Sequence, residues 1–522
     1  MTRTIHRGVV IAAAALLAGL GGGPARPASP GAPATADNGA KPGPSGVDTR
    51  NCRDLVRSHP GAPCHFDLTK FRGSDPRLDA LESRGVEASG LFNGQVYRVA
   101  NGQELQRLHG KLKPGDQIVL ADGEWADQRL LVQATGTAEH PILVRSEHPG
   151  GAKFTGTSSG EIDGAYVIVY GVDFVRGAVT RDGFTVFRLG DGPKKPCDFC
   201  LADRIRIDGY NSAPERYDTV KTFYVVLDGQ DITVANSFFG NKENLGTMIS
   251  PDLPAVTEAC PQLVDSSGGC FQRLLFVNNT VSGFSKGHHH DPDNGEYKLM
   301  QLGWSGISTH SAFSILEGNV FEYADGANET ISIKASDVVI RENRFHANEG
   351  TLNLRSANRV LIENNVFDGD GQVSMGGVRI EAKDHWVVHN LFKNLVKPMD
   401  DYYWPVAIHT ASEPELTDSY EDYAQVRNVV IADNLFENDE DPAIAIGIYP
   451  DPKQHRILLP TDLFILDNVF SGGAFSPGVS AGGPNAAAKP NPAGNLPLRF
   501  EGGAERYKAV VVQGNRRIGG KS

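Results

Sequence analysis

Three short segments carry charge where a strand centre would ordinarily be apolar: Glu329-Thr-Ile-Ser-Ile-Lys334, Thr351-Leu-Asn-Leu-Arg355 and Gly376-Gly-Val-Arg379-Ile-Glu381. Side chains of a regular strand alternate between faces. On that pattern Glu329, Ile331 and Ile333 share one face, and Thr330, Ser332 and Lys334 the other. Lys334 and Arg355 lie 21 residues apart, and Arg379 follows 24 residues later. If one winding of the chain takes about that many residues, the three cations stack on neighbouring rungs of one wall, about 5 Å apart. A basic stripe of this kind suits a polyanion. The plain alternative is a solvated charge ladder balanced by Glu329, Glu349 and Glu381.

Two other clusters could do chemistry. His288-His-His290-Asp291-Pro-Asp293 has the residue types of a transition-metal site, next to Asn294. Three consecutive histidines on an insert do not readily face one ion, so contact with a substrate, through His290, or a solvated loop is favoured over a metal site. Asp400-Asp-Tyr402-Tyr403-Trp404, with His409 after it, offers aromatic rings that can stack on sugars or pack beneath a loop. Cys197-Asp-Phe-Cys200 lacks the second pair or nearby histidine that a zinc site needs.

The elements that must position these residues show in an internal repeat. Asn-x-Phe recurs at Asn236, Asn319, Asn343, Asn365, Asn390, Asn434 and Asn468, with a weaker copy, Asn279-Thr-Val281. The central spacings are 24, 22 and 25 residues, and most copies follow a β-prone run such as Val338-Val-Ile340 or Val360-Leu-Ile362. A period in the low twenties with several short strands per repeat marks a solenoid. The Leu-x-x-Leu-x-Leu frame of leucine-rich repeats is absent. The pattern predicts an all-β, right-handed, single-stranded parallel β-helix in which Asn side chains bond from coil to coil and Phe points inward. A short amphipathic helix over Gln103–Leu108, N-capped by Asn101, is expected to cap its open end. Longer gaps, as between Asn390 and Asn434, read as loops that build a binding face.

Composition limits the function. The 522 residues include 59 Gly and 31 Pro, a turn-rich balance, and the net charge of −13 argues against non-specific nucleic-acid binding. Arg3 and Arg7 precede an apolar run from Val9 to Leu20 that is too short to span a bilayer, the pattern of a secretory signal. The expected organisation is a signal and leader over 1–36, a Pro/Gly-rich, disulfide-containing segment over 37–90, and the β-helix over 91–522. A secreted, monomeric protein without a membrane span follows. Export favours disulfides; sequence does not choose among the connectivities that six cysteines allow, and least rearrangement favours the local pairs Cys52 with Cys64, Cys197 with Cys200 and Cys260 with Cys270.

The blocks Tyr97-Arg-Val-Ala-Asn-Gly-Gln-Glu-Leu105, Lys113-Pro-Gly-Asp-Gln-Ile-Val-Leu-Ala-Asp-Gly-Glu-Trp125 and Gly136-Thr-Ala-Glu-His-Pro-Ile-Leu-Val-Arg145 resemble the start of polysaccharide lyase family six, the chondroitinase-B and alginate-lyase family. The segments around Lys334, Arg355, Arg379 and His385 are similar too, so the likeness runs over roughly residues 95–470. The resemblance implies β-elimination at a uronic acid, with Lys334 as base and Arg355 as acid or charge stabiliser. Substrate contacts are expected from Arg379, Glu381, His385, His290, Tyr402, Tyr403 and Trp404. Many relatives hold Ca²⁺ with one Asn and two Glu, which maps onto Asn294 and Glu329. The remaining position is Ala327, so calcium-assisted and metal-free neutralisation both stay open. Ser356 stands where dermatan-cleaving relatives tend to carry His, which favours alginate, at mannuronate linkages, over dermatan or chondroitin. A pectinase-type hydrolase would want clustered Asp where the cations stand. A non-catalytic carbohydrate-binding solenoid is the remaining alternative, and Ala327 supports it.

Overall fold

The computed structural model describes residues 52–518, apart from 193, 253–271, 286–296, 326–327, 396–402, 418, 420–422, 440–441 and 473–495. Among the described residues the chain winds as a right-handed parallel β-helix, with sheets of 14, 13 and 13 strands. One coil illustrates the path. Ser336–Arg341 lies in the first sheet, Arg344–His346 in the second and Gly350–Leu354 in the third, before Val360–Glu363 returns to the first.

The corner between the first and second sheets repeats because two conditions recur there. One residue must adopt a left-handed conformation, filled by Asn278, Gly318, Glu342, Asn364, His389, Asp433 and Asp467. The next points inward and must satisfy the backbone groups the corner leaves open. Asn319, Asn343, Asn365, Asn390, Asn434 and Asn468 fill that place. Each Oδ1 accepts from the backbone N–H and Nδ2 of the rung before; for Asn365 these distances are 2.9 and 3.0 Å. The ladder runs from Asn279 to Asn515, one rung beyond the sequence pattern. Two residues on, Phe321, Phe345, Phe367, Phe392, Phe436 and Phe470 stack with ring centroids 4.6–5.3 Å apart.

The expected rung at Asn236 slips by one residue. Ser237 donates its backbone N–H to Asn279 Oδ1, and Phe239, not Phe238, aligns with Val281. Asn236 occupies the left-handed position instead, with φ of 50°. Asn tolerates that conformation better than most residues, so its type served the other requirement of the corner.

The cap helix forms over Gly102–Gln106. Asn101 Oδ1 accepts from the Glu104 N–H at 3.0 Å, while Glu104 Oε2 accepts from the Ala100 N–H at 2.8 Å, a reciprocal pair that closes the helix start. Disulfides join Cys52 to Cys64 and Cys197 to Cys200. The expected Cys260–Cys270 pair and the leader lie outside the described residues. Helices Cys52–Ser58 and Pro76–Ala88 pack on the outer face of the first sheet, where Phe66 and Phe71 meet Phe313 and Trp386, and Leu78 and Leu81 meet Leu143 and Ile168. No described helix is long and apolar enough to cross a membrane.

Candidate active site

Lys334 and Arg355 fall on the third sheet, one coil apart. Strand Glu329–Lys334 pairs with Met300–Gly303 before it and Gly350–Leu354 after it. In register, Gln301, Ser332, Asn353 and Arg379 form one outward column, continued by Ala407 and Ala445. Two residues along, Lys334 and Arg355 begin a second column. Both are partly buried.

Two irregularities differ from a strict alternation. The register shifts between Glu329 and Ile331, because Glu329 pairs with Thr351 but Ile331 with Leu352. This bulge turns the Glu329 carboxylate onto the face of Lys334 rather than onto that of the buried Ile331 and Ile333. Glu329 Oε1 accepts from Asn353 Nδ2 at 2.7 Å. The second shift adds a residue at Gly376-Gly377, since Gly350 pairs with Met375 but Leu352 with Val378. A Cβ on Gly377 would lie 2.2 Å from the Pro405 carbonyl oxygen, so only glycine lets the strand pass there. Arg379 pairs with Asn353, 26 residues on, so it stands in the neighbouring column and not in the expected stack. Glu381 takes the place after Arg355.

Glu381 is a bridge between cations. Its Oε2 accepts from Arg355 Nη1 at 3.1 Å and its Oε1 from Arg379 Nη2 at 2.8 Å. Arg379 and Glu381 are both almost fully buried, which makes them a frame that orients Arg355 rather than a surface for sugar. Tyr423 adds a second restraint, with its ring 3.9 Å from the Arg355 Cζ, while Arg456 sits 4.7 Å from the same ring. His409 stacks against Tyr423 at 6.2 Å and is fully buried. Burial, then the charges of Arg379 and Arg355, hold its imidazole neutral, well below the usual range.

Lys298 was not singled out by sequence. It precedes strand Met300–Gly303, and its buried Nζ lies 3.1 Å from Glu329 Oε2 and 3.1 Å from Gln301 Oε1. Burial first, then the charge of Lys298, push the Lys334 amine down to about 8. Burial alone would raise the Glu329 carboxyl, but Lys298, Arg379, Lys334 and Arg355 around it outweigh that and hold it well below the carboxylate range. No repeating signal marks Lys298, because its partner Glu329 lies one coil away. Tyr423 sits in the long insertion between the Asn390 and Asn434 rungs, where sequence gives no register.

The other expected site residues divide. His385 does not face the groove: it is fully buried, its Nδ1 accepts from the Val360 N–H at 3.2 Å, and its Nε2 donates to the Glu381 carbonyl at 2.8 Å. Burial lowers it to about 4, so it is a neutral pin beneath Glu381. Trp404 packs in an apolar cluster with Ala407, Ala445 and Ile448, and Tyr403 beside it is buried, so neither ring is presented to a sugar. Tyr402, His290, Asn294 and Ala327 lie outside the described residues. Of the calcium ligands that the resemblance implies, Glu329 is the one among the described residues. Glu329 is already paired with an ammonium, and among the described residues no group of three metal-ligating side chains gathers here. Hard divalent ions take 6–8 oxygens.

Comparison with known proteins bears on the family and the fold. A family model described as Chondroitinase B matches residues 99–463. The structure superposes on the PL6 family alginate lyase AlyGC with a TM-score of 0.61 at 22% identity, over 81% of this chain and 53% of AlyGC. The chain thus spans about half the length of that relative. A mannuronic acid specific polysaccharide family 6 lyase from human gut microbiota gives a TM-score of 0.62 at 23% identity, over 73% of this chain and 80% of its own. A PL6 family polysaccharide lyase from Pseudopedobacter saltans gives 0.58 at 19% identity, over 80% and 92%. No curated protein sequence matches the chain.

Proposed function

The chain belongs to the chondroitinase B family, polysaccharide lyase family six, and from that premise we propose that it cleaves a uronate-containing polysaccharide by β-elimination. Lys334 removes the C5 proton, and Arg355 stabilises the charge and assists departure of the oxygen at C4. As the C5–H bond breaks, its electron pair forms the C4–C5 double bond, and the C4–O bond breaks with the proton passing to the leaving oxygen. No water is consumed.

The observation that carries this reading is the pairing of a depressed lysine with a fixed arginine. A base must be unprotonated to act, and with its pKa near 8 roughly a tenth of Lys334 is free amine at pH 7, against well under a thousandth for an ordinary lysine. Arg355, one coil on and clamped by Glu381 and Tyr423, supplies a charge that does not titrate. The C5 proton becomes removable only when the adjacent carboxylate is neutralised, so that the enolate-like intermediate is stabilised.

Alginate at mannuronate linkages is the first choice of substrate. Ser356 supports it, as does the fold shared with a mannuronic acid specific lyase. The signal-like N-terminus supports secretion, which places the enzyme where such polymers occur. The test is ultraviolet absorbance on polymannuronate, polyguluronate, dermatan sulfate and pectate. Polymannuronate is expected to give the conjugated product fastest. Lys334→Ala and Arg355→Ala should each abolish the signal while circular dichroism stays unchanged. Reducing ends without absorbance would mean hydrolysis and end the proposal.

A further inference from the structure

We propose that the Lys298 ammonium takes the part of a divalent cation in this enzyme, supplying the positive charge that neutralises the substrate carboxylate. The inference rests on the elimination reading above and adds to it the residue that makes a metal unnecessary. Lys298 Nζ stands 3.1 Å from Glu329 Oε2, the carboxylate that would otherwise hold an ion. A lysine and a calcium ion cannot share that oxygen without strong repulsion. The position two residues before Glu329 is Ala327, which offers no side-chain ligand.

Charge counting shows what Lys298 contributes. Among the described residues, the charges that act most strongly on Lys334 and Glu329 come from four cations, Lys298, Lys334, Arg355 and Arg379, and two carboxylates, Glu329 and Glu381. When Lys334 acts as a base it is neutral, leaving three positive charges against two negative. The one surplus charge matches one uronate carboxylate. Without Lys298 the surplus is zero, and the carboxylate would enter a site with no net charge to receive it. The two guanidiniums are already engaged with Glu381. An ammonium has three N–H donors, and Gln301 and Glu329 engage at most two of those on Lys298. Burial makes its charge act at full strength, because little solvent screens it.

The experiment has a binding arm and a turnover arm. Calorimetric titration of chelator-treated protein with CaCl₂ should show no binding up to about 1 mM, the weak end of protein calcium sites. Turnover on polymannuronate should change less than about twofold on adding EDTA, whereas Lys298→Gln should lower kcat/KM on the order of 100-fold, the scale of one lost electrostatic group. Lys298→Arg, which keeps the charge, should recover at least about tenfold over Lys298→Gln, and it serves with the chelator arm if Lys298→Gln does not fold. Saturable calcium binding, activity that EDTA removes and calcium restores, or full activity in Lys298→Gln would each overturn the proposal while leaving the elimination reading intact. A wild-type protein that forms no unsaturated product on any uronate polymer would sink that reading instead, and the calorimetry would still judge the metal claim.

Discussion

Lys334 works between opposing fields. Burial and the charges of Lys298 and Arg355 favour the free amine, while Glu329 and Glu381 favour the ammonium. The balance near 8 leaves its amine mostly protonated at neutral pH, so in its proposed role as base it should make activity depend steeply on alkalinity. The sign follows directly: a catalytic base acts once it has lost its proton, so kcat/KM should rise about tenfold per pH unit below pH 8 and level off above it. Rates on a soluble mannuronate polymer between pH 6 and 10 would show this. A flat profile across that range would mean that another group takes the proton. Lys334 and Arg355 could be read from sequence because one coil length separates them and their charge interrupts an apolar pattern. Lys298 and Tyr423 could not, since each reaches the site from outside the repeating strands. His385 misled for a related reason: nothing in its residue type separates an imidazole that faces solvent from one pinned between two backbone groups.

At the scale of the strand and its corner, the Asn ladder does the work that a buried turn otherwise leaves undone. Asn365 is buried, accepts two hydrogen bonds from Asn343, and donates to Ile340 O, Glu363 O and Asn390 Oδ1. Asn365→Ala removes all of these at once and leaves several polar groups unpaired in a dry interior, a loss of about 3–5 kcal/mol after local relaxation. Because a solenoid couples mainly to nearest neighbours, the loss should stay local. Amide exchange should quicken across Val338–Asn390, while strand Ile142–Ser146 keeps its protection. Uniform loosening of both regions would show a single cooperative unit instead. The ladder was legible because burial and a fixed hydrogen-bond duty leave little but Asn at that corner. Its slip at Asn236 was not, because two adjacent places there accept the same residue type. The same limit displaced Arg379: it pairs with Asn353, 26 residues back, and a period counted on other coils does not fix the length of this one.

The whole molecule carries a net charge of −13 yet gathers Lys298, Lys334, Arg355 and Arg379 on its third sheet, a local cluster of cations that suits a polyanion. Its first sheet has a different task. The outer face there is apolar, and residues 52–90 lie on it as a strap, closed by Cys52–Cys64. Polar anchors fix its position. Trp386 Nε1 donates to the Pro63 carbonyl at 2.8 Å, His59 Nε2 meets Asp433 Oδ2 at 2.8 Å, and Thr233 Oγ1 donates to the buried Asp75 at 2.8 Å. A chain begun at residue 91 would expose Phe313, Leu361, Trp386 and Val430 as one strip along parallel strands, a surface that pairs readily with a second copy. Such a truncation should associate with rising concentration in light scattering, bind a hydrophobic dye, and melt several degrees lower. Its site lies on another sheet, so the fraction that stays monomeric should retain turnover. A truncated chain that is monomeric at all concentrations and melts with the full one would show that the strap is dispensable to the β-helix.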